Sequence, residues 1–513
     1  MFEEGFINKL NLLNENNFFD NLEIKRGIER EALRVDTVGK ISQKSHPKKL
    51  GSALCNPYIT TDFAEALIEL VTPKFNDVDN LYSFLEQIHA FARKNLENEI
   101  FWNASMPCKF NNESEIKLAE YGESNLGQLK NIYRRGLKQR YGPIMQCISG
   151  IHYNFSLTNN SWNLFLNTSN PSQNDIDDCY MNLVRNVKRN YWFIAFNFGG
   201  SPCFHESFID KRELGKEIVD SRFHGLKNAC SLRMSDVGYQ SNLQKNIDVN
   251  YNSLNKYVES IIGAINMPND IFEKISEFDN DGYPQQISSG TLQIENELYD
   301  VIRPKRRGES GERPANLLKK HGIEYVEFRG LDINPFEVTG ISKAQIHLMD
   351  IFLLYCLMTP SPKILPEEAQ INGKNSIVVI EEGRNKNAEI FFEGNIHKIT
   401  DAVDIIFSRL TLIARELGGE SAKSLDTYIQ NKRSDQTLPE IIMKELRDSE
   451  KDFHEYNLDN SLDIAKKEIK LDGFLQKEFE NQAYQSIKEQ ETLETENKID
   501  IISFINDFNS KLK

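Results

Sequence analysis

The chain is poor in the residues that build the commonest cofactor sites. Its seven cysteines are scattered over 513 residues with no C-x-x-C pair, which argues against both a disulfide framework and a thiolate zinc site. No G-x-x-x-x-G-K-[ST] loop is present; "INGKNS" (371–376) offers only a lone Gly373-Lys374. The G-x-G-x-x-G, H-E-x-x-H, G-x-S-x-G and kinase signatures are missing as well. A phosphate-handling enzyme of this sequence must therefore use metal clamps and arginines in place of a glycine cradle. The strongest apolar runs, "YWFIAFNFGG" and "AQIHLMDIFLLYCLM", are too short or too interrupted for the roughly 18 or more residues of a membrane span. The first residues, "MFEEGFINKL", carry two acids where a secretory signal carries positive charge, and no apolar h-region follows. Basic charge is also in short supply: the net charge of −15 argues against a nucleic-acid or anionic-membrane binder. The expectation is a cytoplasmic, monomeric protein whose partners are small molecules.

With only 16 prolines and no Pro/Gly/Ser-rich hinge, the chain reads as one catalytic domain over residues 1–513. Residues 1–22 read as a helix, with Phe2, Phe6, Leu10 and Leu13 at helical spacing. Helices are expected at 78–97 and 176–196, and strands at 26–35 ("RGIEREALRV"), 150–157 ("GIHYNFSL"), 292–302 ("LQIENELYDVI") and 322–335 ("GIEYVEFRGLDINP"). Past about residue 400 the chain is almost wholly helical and increasingly charged, a segment expected to pack on the main domain. Strands separated by long helical insertions predict an α+β fold with an antiparallel or mixed sheet.

The polar residues of those strands carry the functional signal. In a strand Glu29 and Glu31 share a face about 7 Å apart, so they repel unless something positive sits over them. His152 and Asn154 alternate with an apolar set; Tyr325, Glu327 and Arg329 share a face; so do Glu295, Glu297 and Tyr299. Solvated faces favour Lys and Thr, whereas these residues are ligand and acid/base types. In "TTDFAEALIELVTP" (60–73), Glu69 lies inside an apolar run whether the period is helical or extended. An ionised carboxylate there is costly unless it is paired or metal-bound. An oxygen-rich set without cysteine suits Mg²⁺, with Mn²⁺ as the alternative, and Mg²⁺ normally shares its sphere with substrate phosphates. Arg233, Arg303, Lys305, Arg306, Arg307 and Arg329 are the candidate cations, and "RPKRRGESGER" (303–313) reads as a surface loop.

These same blocks carry a family resemblance. "RGIEREALRV", "GSALCNPYITTDFAEALIELVTP", "LAEYGESNLGQLKNIYRRGLKQRYGPIMQCISGIHYNFSL", "SLRMSDVGY", "LQIENELYDVIRPKR" and "GIEYVEFRGLDINPF" resemble the gammaproteobacterial type of glutamate–cysteine ligase, in order, from about residue 24 to about 360. The resemblance implies a glutamine-synthetase-like fold: a curved antiparallel sheet forming an active-site funnel, with helices outside. It implies ATP-dependent joining of L-glutamate to L-cysteine through a γ-glutamyl phosphate, the first step of glutathione synthesis and, at this length, that step only. It further implies that Glu29, Glu31, Asp62, Glu69, His152 and Glu327 hold the magnesium ions. Arg329, beside Glu327, would stabilise the transferring phosphoryl group, Arg233 would take the glutamate α-carboxylate, and Tyr133, Tyr239 and Tyr299 would form the cysteine pocket. It points to no adenine-site residue. The competing expectations are a ligase of the same fold with another amine acceptor and a metal-dependent phosphohydrolase.

Overall fold

A computed structural model describes residues 2–208, 218–220, 222–238, 244, 247–309, 311–496 and 499–512. Its centre is a seven-stranded sheet: β1 (Ile24–Asp36), β2 (Ile59–Thr61), β3 (Leu67–Val71), β4 (Glu99–Trp102), β5 (Gly150–Leu157), β6 (Ile302–Lys305) and β7 (Tyr325–Asp332). The order is β2-β3-β1-β5-β7-β6, with β4 pairing the far end of β1, and every pairing is antiparallel. The fold is α+β, as the pattern of elements predicts.

Alternation gives the sheet two unlike faces. On one, Ile28, Ala32, Ile68, Leu70, Ile151, Tyr153, Phe155, Val326 and Phe328 are fully buried. They are covered by the helices Gln173–Phe198 and Lys343–Met358. Phe193 stacks on Phe352 at 5.9 Å, and Tyr191 and Phe352 both meet Phe328. Each such side chain removed from water contributes about 1.5–3 kcal/mol. The helix Lys343–Met358, opened by a Ser342/Gln345 capping box, is buried nearly all round, which accounts for the apolar run noted in the sequence. Charge is embedded there too: Arg26 Nε donates to both oxygens of Asp350 (3.0 and 2.7 Å), and the Tyr153 hydroxyl donates to Asp350 Oδ1 at 2.7 Å.

The last helices reach back over the molecule. Phe453–Lys466 packs on β4, Gly473–Thr495 on the helix Val78–Lys94, and Ile501–Ser510 on the helix Asn125–Tyr141.

Three sequence expectations are corrected. The first helix spans Phe2–Glu15, and Asn17 turns the chain in a left-handed conformation (φ 52°). Residues 292–302 are not a strand; Glu295–Glu297 form a 3-10 turn and pairing begins only at Ile302. The buried Glu297 carboxylate draws that segment inward, accepting from Arg140 (3.0 Å), Tyr141 (2.7 Å) and the backbone N–H of Gln293 (2.6 Å). Alternating acids imitate a strand there because the turn buries two of them. Residues 303–313 are not simply a surface loop: Arg303 is buried against the carbonyls of Asn296 and Leu298, and Arg313 is buried and paired to Glu295 at 2.9 Å.

Candidate active site

Cross-strand register assembles the other face of the sheet residue by residue. Thr60 lies opposite Glu69, and Glu69 opposite Glu31. Glu29 lies opposite His152, Asn154 opposite Glu327, and Glu327 opposite Arg303. Four strands thus set carboxylates side by side with His152 between them. The donor atoms of Glu29, His152 and Glu327 lie within 4.8 Å of one another, as do those of Glu31, Glu69 and His152. Each group is braced from behind. Glu29 Oε1 accepts from Asn154 Nδ2 (2.9 Å) and its Oε2 lies 3.1 Å from His152 Nδ1. Glu31 Oε2 accepts from the N–H of Gly150 at 2.7 Å. A Cβ at position 150 would fall 2.1 Å from Nη2 of Arg233, so any larger residue there would require the buried Arg233 side chain to move.

The electrostatics are those of like charges crowded on one face. Burial pushes the Glu69 carboxyl well above the ordinary range, and the nearby charges of Glu29, Asp62 and Glu31 push it further. Glu69 has no ion pair among the described residues. Burial likewise raises Glu31, although the His152 charge opposes the shift. Glu29 is lowered: burial, the largest single effect, raises it, but its hydrogen bond with His152 and the charges of His152 and Lys305 together outweigh burial. Glu327 is held well below the carboxylate range against the effect of burial, by Lys305 (3.5 Å) and Arg329 (3.4 Å). His152 Nε2 is buried without a hydrogen-bond partner, 3.4 Å from Glu31 Oε1.

These groups floor a cavity of about 380 Å³. Arg329, Tyr133 and Asp62 also line it. Asp62 belongs to neither donor group; its side chain is 37% exposed and lies 4.0 Å from Arg134. Tyr299 sits behind the wall, its hydroxyl accepting from Gln146 Nε2 at 2.6 Å. Arg233 is buried under the floor, donating to the Arg329 carbonyl (3.0 Å), with Asp332 at 3.7 Å. Tyr239 lies outside the described residues.

Several lining residues escaped the sequence reading. Lys130 and Arg134 project from the helix Asn125–Tyr141, bracketing Tyr133 at helical spacing, and burial lowers Lys130 to about 8. Their spacing was a usable signal. Phe508, near the end of the chain, also lines the cavity, and nothing local to it pointed there. A second cavity of about 540 Å³ adjoins the first at Glu29. Lys25, Lys74, Arg306 and Arg307 line it together with Gly27, Asn154, Ile176 and Tyr325, concentrating cations in an otherwise acidic protein. The pair forms a suitable enclosure for a polyanion whose charged end reaches the carboxylate–histidine groups.

Comparison with known proteins points the same way. The family model for glutamate–cysteine ligase matches residues 10–379. The glutamate–cysteine ligase of Hahella chejuensis is 42% identical over 417 residues, covering 79% of this chain and 78% of the relative. That of Shewanella halifaxensis is 38% identical over 498 residues, covering 94% and 95%. The crystal structure of glutamate–cysteine ligase from Francisella tularensis in complex with AMP superposes with a TM-score of 0.89 at 32% identity, over 95% of this chain and 98% of that one. A bifunctional glutathione synthetase from Pasteurella multocida shares the fold, at TM-score 0.69 and 23% identity. With a matching family model over most of its length and carboxylates and arginines converging on one sheet face, the chain belongs to the glutamate–cysteine ligase family.

Proposed function

We propose that the two adjoining cavities carry out the family's reaction with a defined division of labour. The chain is an ATP-dependent ligase that joins the γ-carboxylate of L-glutamate to the amine of L-cysteine, giving γ-glutamylcysteine, ADP and phosphate. In this reading ATP occupies the larger cavity, its base against Ile176, Ile323 and Tyr325 and its charged end toward Lys25, Lys74, Arg306 and Arg307. The phosphates then reach past Glu29 into the smaller cavity, where glutamate and cysteine bind. The observation that carries this reading is the pair of donor groups around His152 in the smaller cavity, one of which contains Glu29, the lining residue both cavities share.

The donor set fits Mg²⁺, with Mn²⁺ acceptable: hard carboxylate oxygens, one imidazole and no thiolate. The unpartnered His152 Nε2 and the unpaired Glu69 support that fit. Glu31, Glu69 and His152 would hold one ion and Glu29 and Glu327, beside the same ring, another, with Asp62 contributing charge from the wall. Bound magnesium would supply Lewis-acid polarisation and neutralise phosphate and carboxylate oxygens.

The protein's own side chains then position and neutralise. A carboxylate is a poor electrophile, so the glutamate γ-carboxylate attacks the γ-phosphorus first, and the cysteine amine displaces phosphate from the resulting γ-glutamyl phosphate. Arg329 faces the group in transfer from beside Glu327, and its planar fork matches phosphoryl oxygens in a way an ammonium does not. Arg233 supplies positive charge beneath the floor for the glutamate α-carboxylate. Tyr133 walls the cysteine end, with Tyr299 behind it; Tyr239, outside the described residues, belongs to the pocket on the family resemblance alone. Arg329→Lys is accordingly expected to lower kcat about a hundredfold while the glutamate KM stays within about threefold. Steady-state kinetics check this; a higher glutamate KM at unchanged kcat would reassign Arg329 to substrate binding.

The reading is tested by ADP release with Mg²⁺, ATP and glutamate, adding cysteine, 2-aminobutyrate, another amine or nothing. Strong stimulation by cysteine, with 2-aminobutyrate accepted, supports it. Equal ATP hydrolysis without any amine would make the protein a phosphohydrolase. No helix among the described residues is long and apolar enough to cross a membrane. We place the enzyme in the cytoplasm, as a monomer.

A further inference from the structure

The last described helix, Ile501–Ser510, opens with Asp500 accepting from the N–H of Ser503 at 2.9 Å. Its apolar residues Ile501, Phe504, Ile505 and Phe508 fall at i, i+3, i+4 and i+7. They pack with Leu129 and Ile132 as an apolar island separate from the two large cores. The same helix Asn125–Tyr141 that supplies Leu129 and Ile132 also carries Tyr133 and Lys130 into the catalytic cavity.

Within that island Phe508 has a distinct position. It is 7% exposed and forms part of the wall of the smaller cavity, beside Leu126 and Leu129. The Arg313 guanidinium lies 4.4 Å above its ring while pairing with Glu295, another wall residue, at 2.9 Å. Asn509 Nδ2 donates to the Ile287 carbonyl at 3.1 Å, so the ring is held from both sides. Phe508 has no part in lining the larger cavity. It therefore walls the cavity assigned to the amino acids and not the cationic cleft assigned to the nucleotide.

We infer that Phe508, brought from the far end of the chain, forms the apolar wall against which the side chain of the acceptor amino acid packs. The terminal helix is thereby a specificity element of the active site. A small, weakly polar side chain such as a thiomethyl-sized group fits against an aromatic ring flanked by leucines; a charged one would lose its hydration there. The inference rests on the ligase reading above.

The test uses full-length Phe508→Ala, Phe508→Leu and Phe504→Ala. Phe504 belongs to the same island but does not line the cavity. Phe508→Ala is expected to raise the KM for cysteine and for 2-aminobutyrate about tenfold, and Phe508→Leu about threefold, with the ATP KM within about twofold of the unsubstituted enzyme. Phe504→Ala should lower thermal stability and leave the cysteine KM in place. Should one Phe508 variant fail to fold, the other carries the test. An unchanged cysteine KM in the folded Phe508 variants, or the same change in Phe504→Ala, would overturn the inference. Failure of the unsubstituted enzyme to use cysteine would instead bring down the ligase reading, which is a separable outcome.

Discussion

Glu327→Gln is expected to lose turnover by about a thousandfold or more while remaining folded. The side chain is buried, ionised and common to the first donor group, where it sits opposite both Asn154 and Arg303 in the sheet. An amide of the same shape keeps the strand pairing but removes one negative charge where a cation and a phosphoryl group must be balanced. The cost to stability is small because two effects oppose each other. Lys305 and Arg329 lose a counter-charge, yet their side chains are 22% and 18% exposed and stay partly solvated. Glu29 at the same time loses a repulsive neighbour. Parallel measurement of kcat and of the melting temperature, with and without Mg²⁺, separates the two consequences. Retention of more than about a tenth of the activity would remove Glu327 from the metal set.

Asp350→Ala is expected to lower folding stability by about 3–5 kcal/mol, seen as a fall in the denaturant midpoint. Arg26 sits on the helix-covered face of β1, and its nearest anion among the described residues is Asp350. Its guanidinium stays charged: burial works to lower its pKa, but Asp350 and Tyr153 raise it further. Alanine would strand that cation in the core and leave the Tyr153 hydroxyl without its acceptor. The triple replacement Arg26→Met, Tyr153→Phe, Asp350→Leu removes every polar member at once and should recover most of the loss. Recovery would show that the cost lies in the broken pair and not in the missing volume. Because Arg26 is flanked by Lys25 and Gly27 of the larger cavity, Asp350→Ala should also raise the ATP KM.

Most of the polar floor of the cavity was legible in sequence because strand alternation is local. Glu29 and Glu31, His152 and Asn154, and Glu327 and Arg329 each fall on one face by a period of two, and register then brings them together. Glu69 announced itself by lying in an apolar run. The failures were cases in which a distant partner set the conformation. Residues 292–302 alternate like a strand, but Arg140 and Tyr141, over 150 residues away, fold them into a turn around Glu297. The hairpin of Glu389–Phe392 and Asn395–Lys398 hid before a long helical region; its turn is made by Glu393 and Gly394, both at positive φ. Lys130 and Arg134 carried a local signal in their spacing around Tyr133, whereas Phe508 carried none. An aromatic at helical spacing near a chain end reads as ordinary packing until its neighbour across the molecule is known.

One imidazole between two donor groups makes those groups unequal. A neutral ring has a single lone pair and a single N–H, so it can serve as ligand on one side only. Nδ1 lies 3.1 Å from Glu29 Oε2, and in the tautomer that carries its proton there the lone pair of Nε2 faces Glu31 and Glu69. A cation held by Glu31, Glu69 and His152 would have a nitrogen and two carboxylates, whereas one beside Glu29 and Glu327 would have carboxylates alone and would draw its remaining oxygens from the substrate. If the site takes up two cations as proposed, the tautomer of His152 would make their sites unequal, one supplied with nitrogen by the protein and one dependent on substrate oxygens.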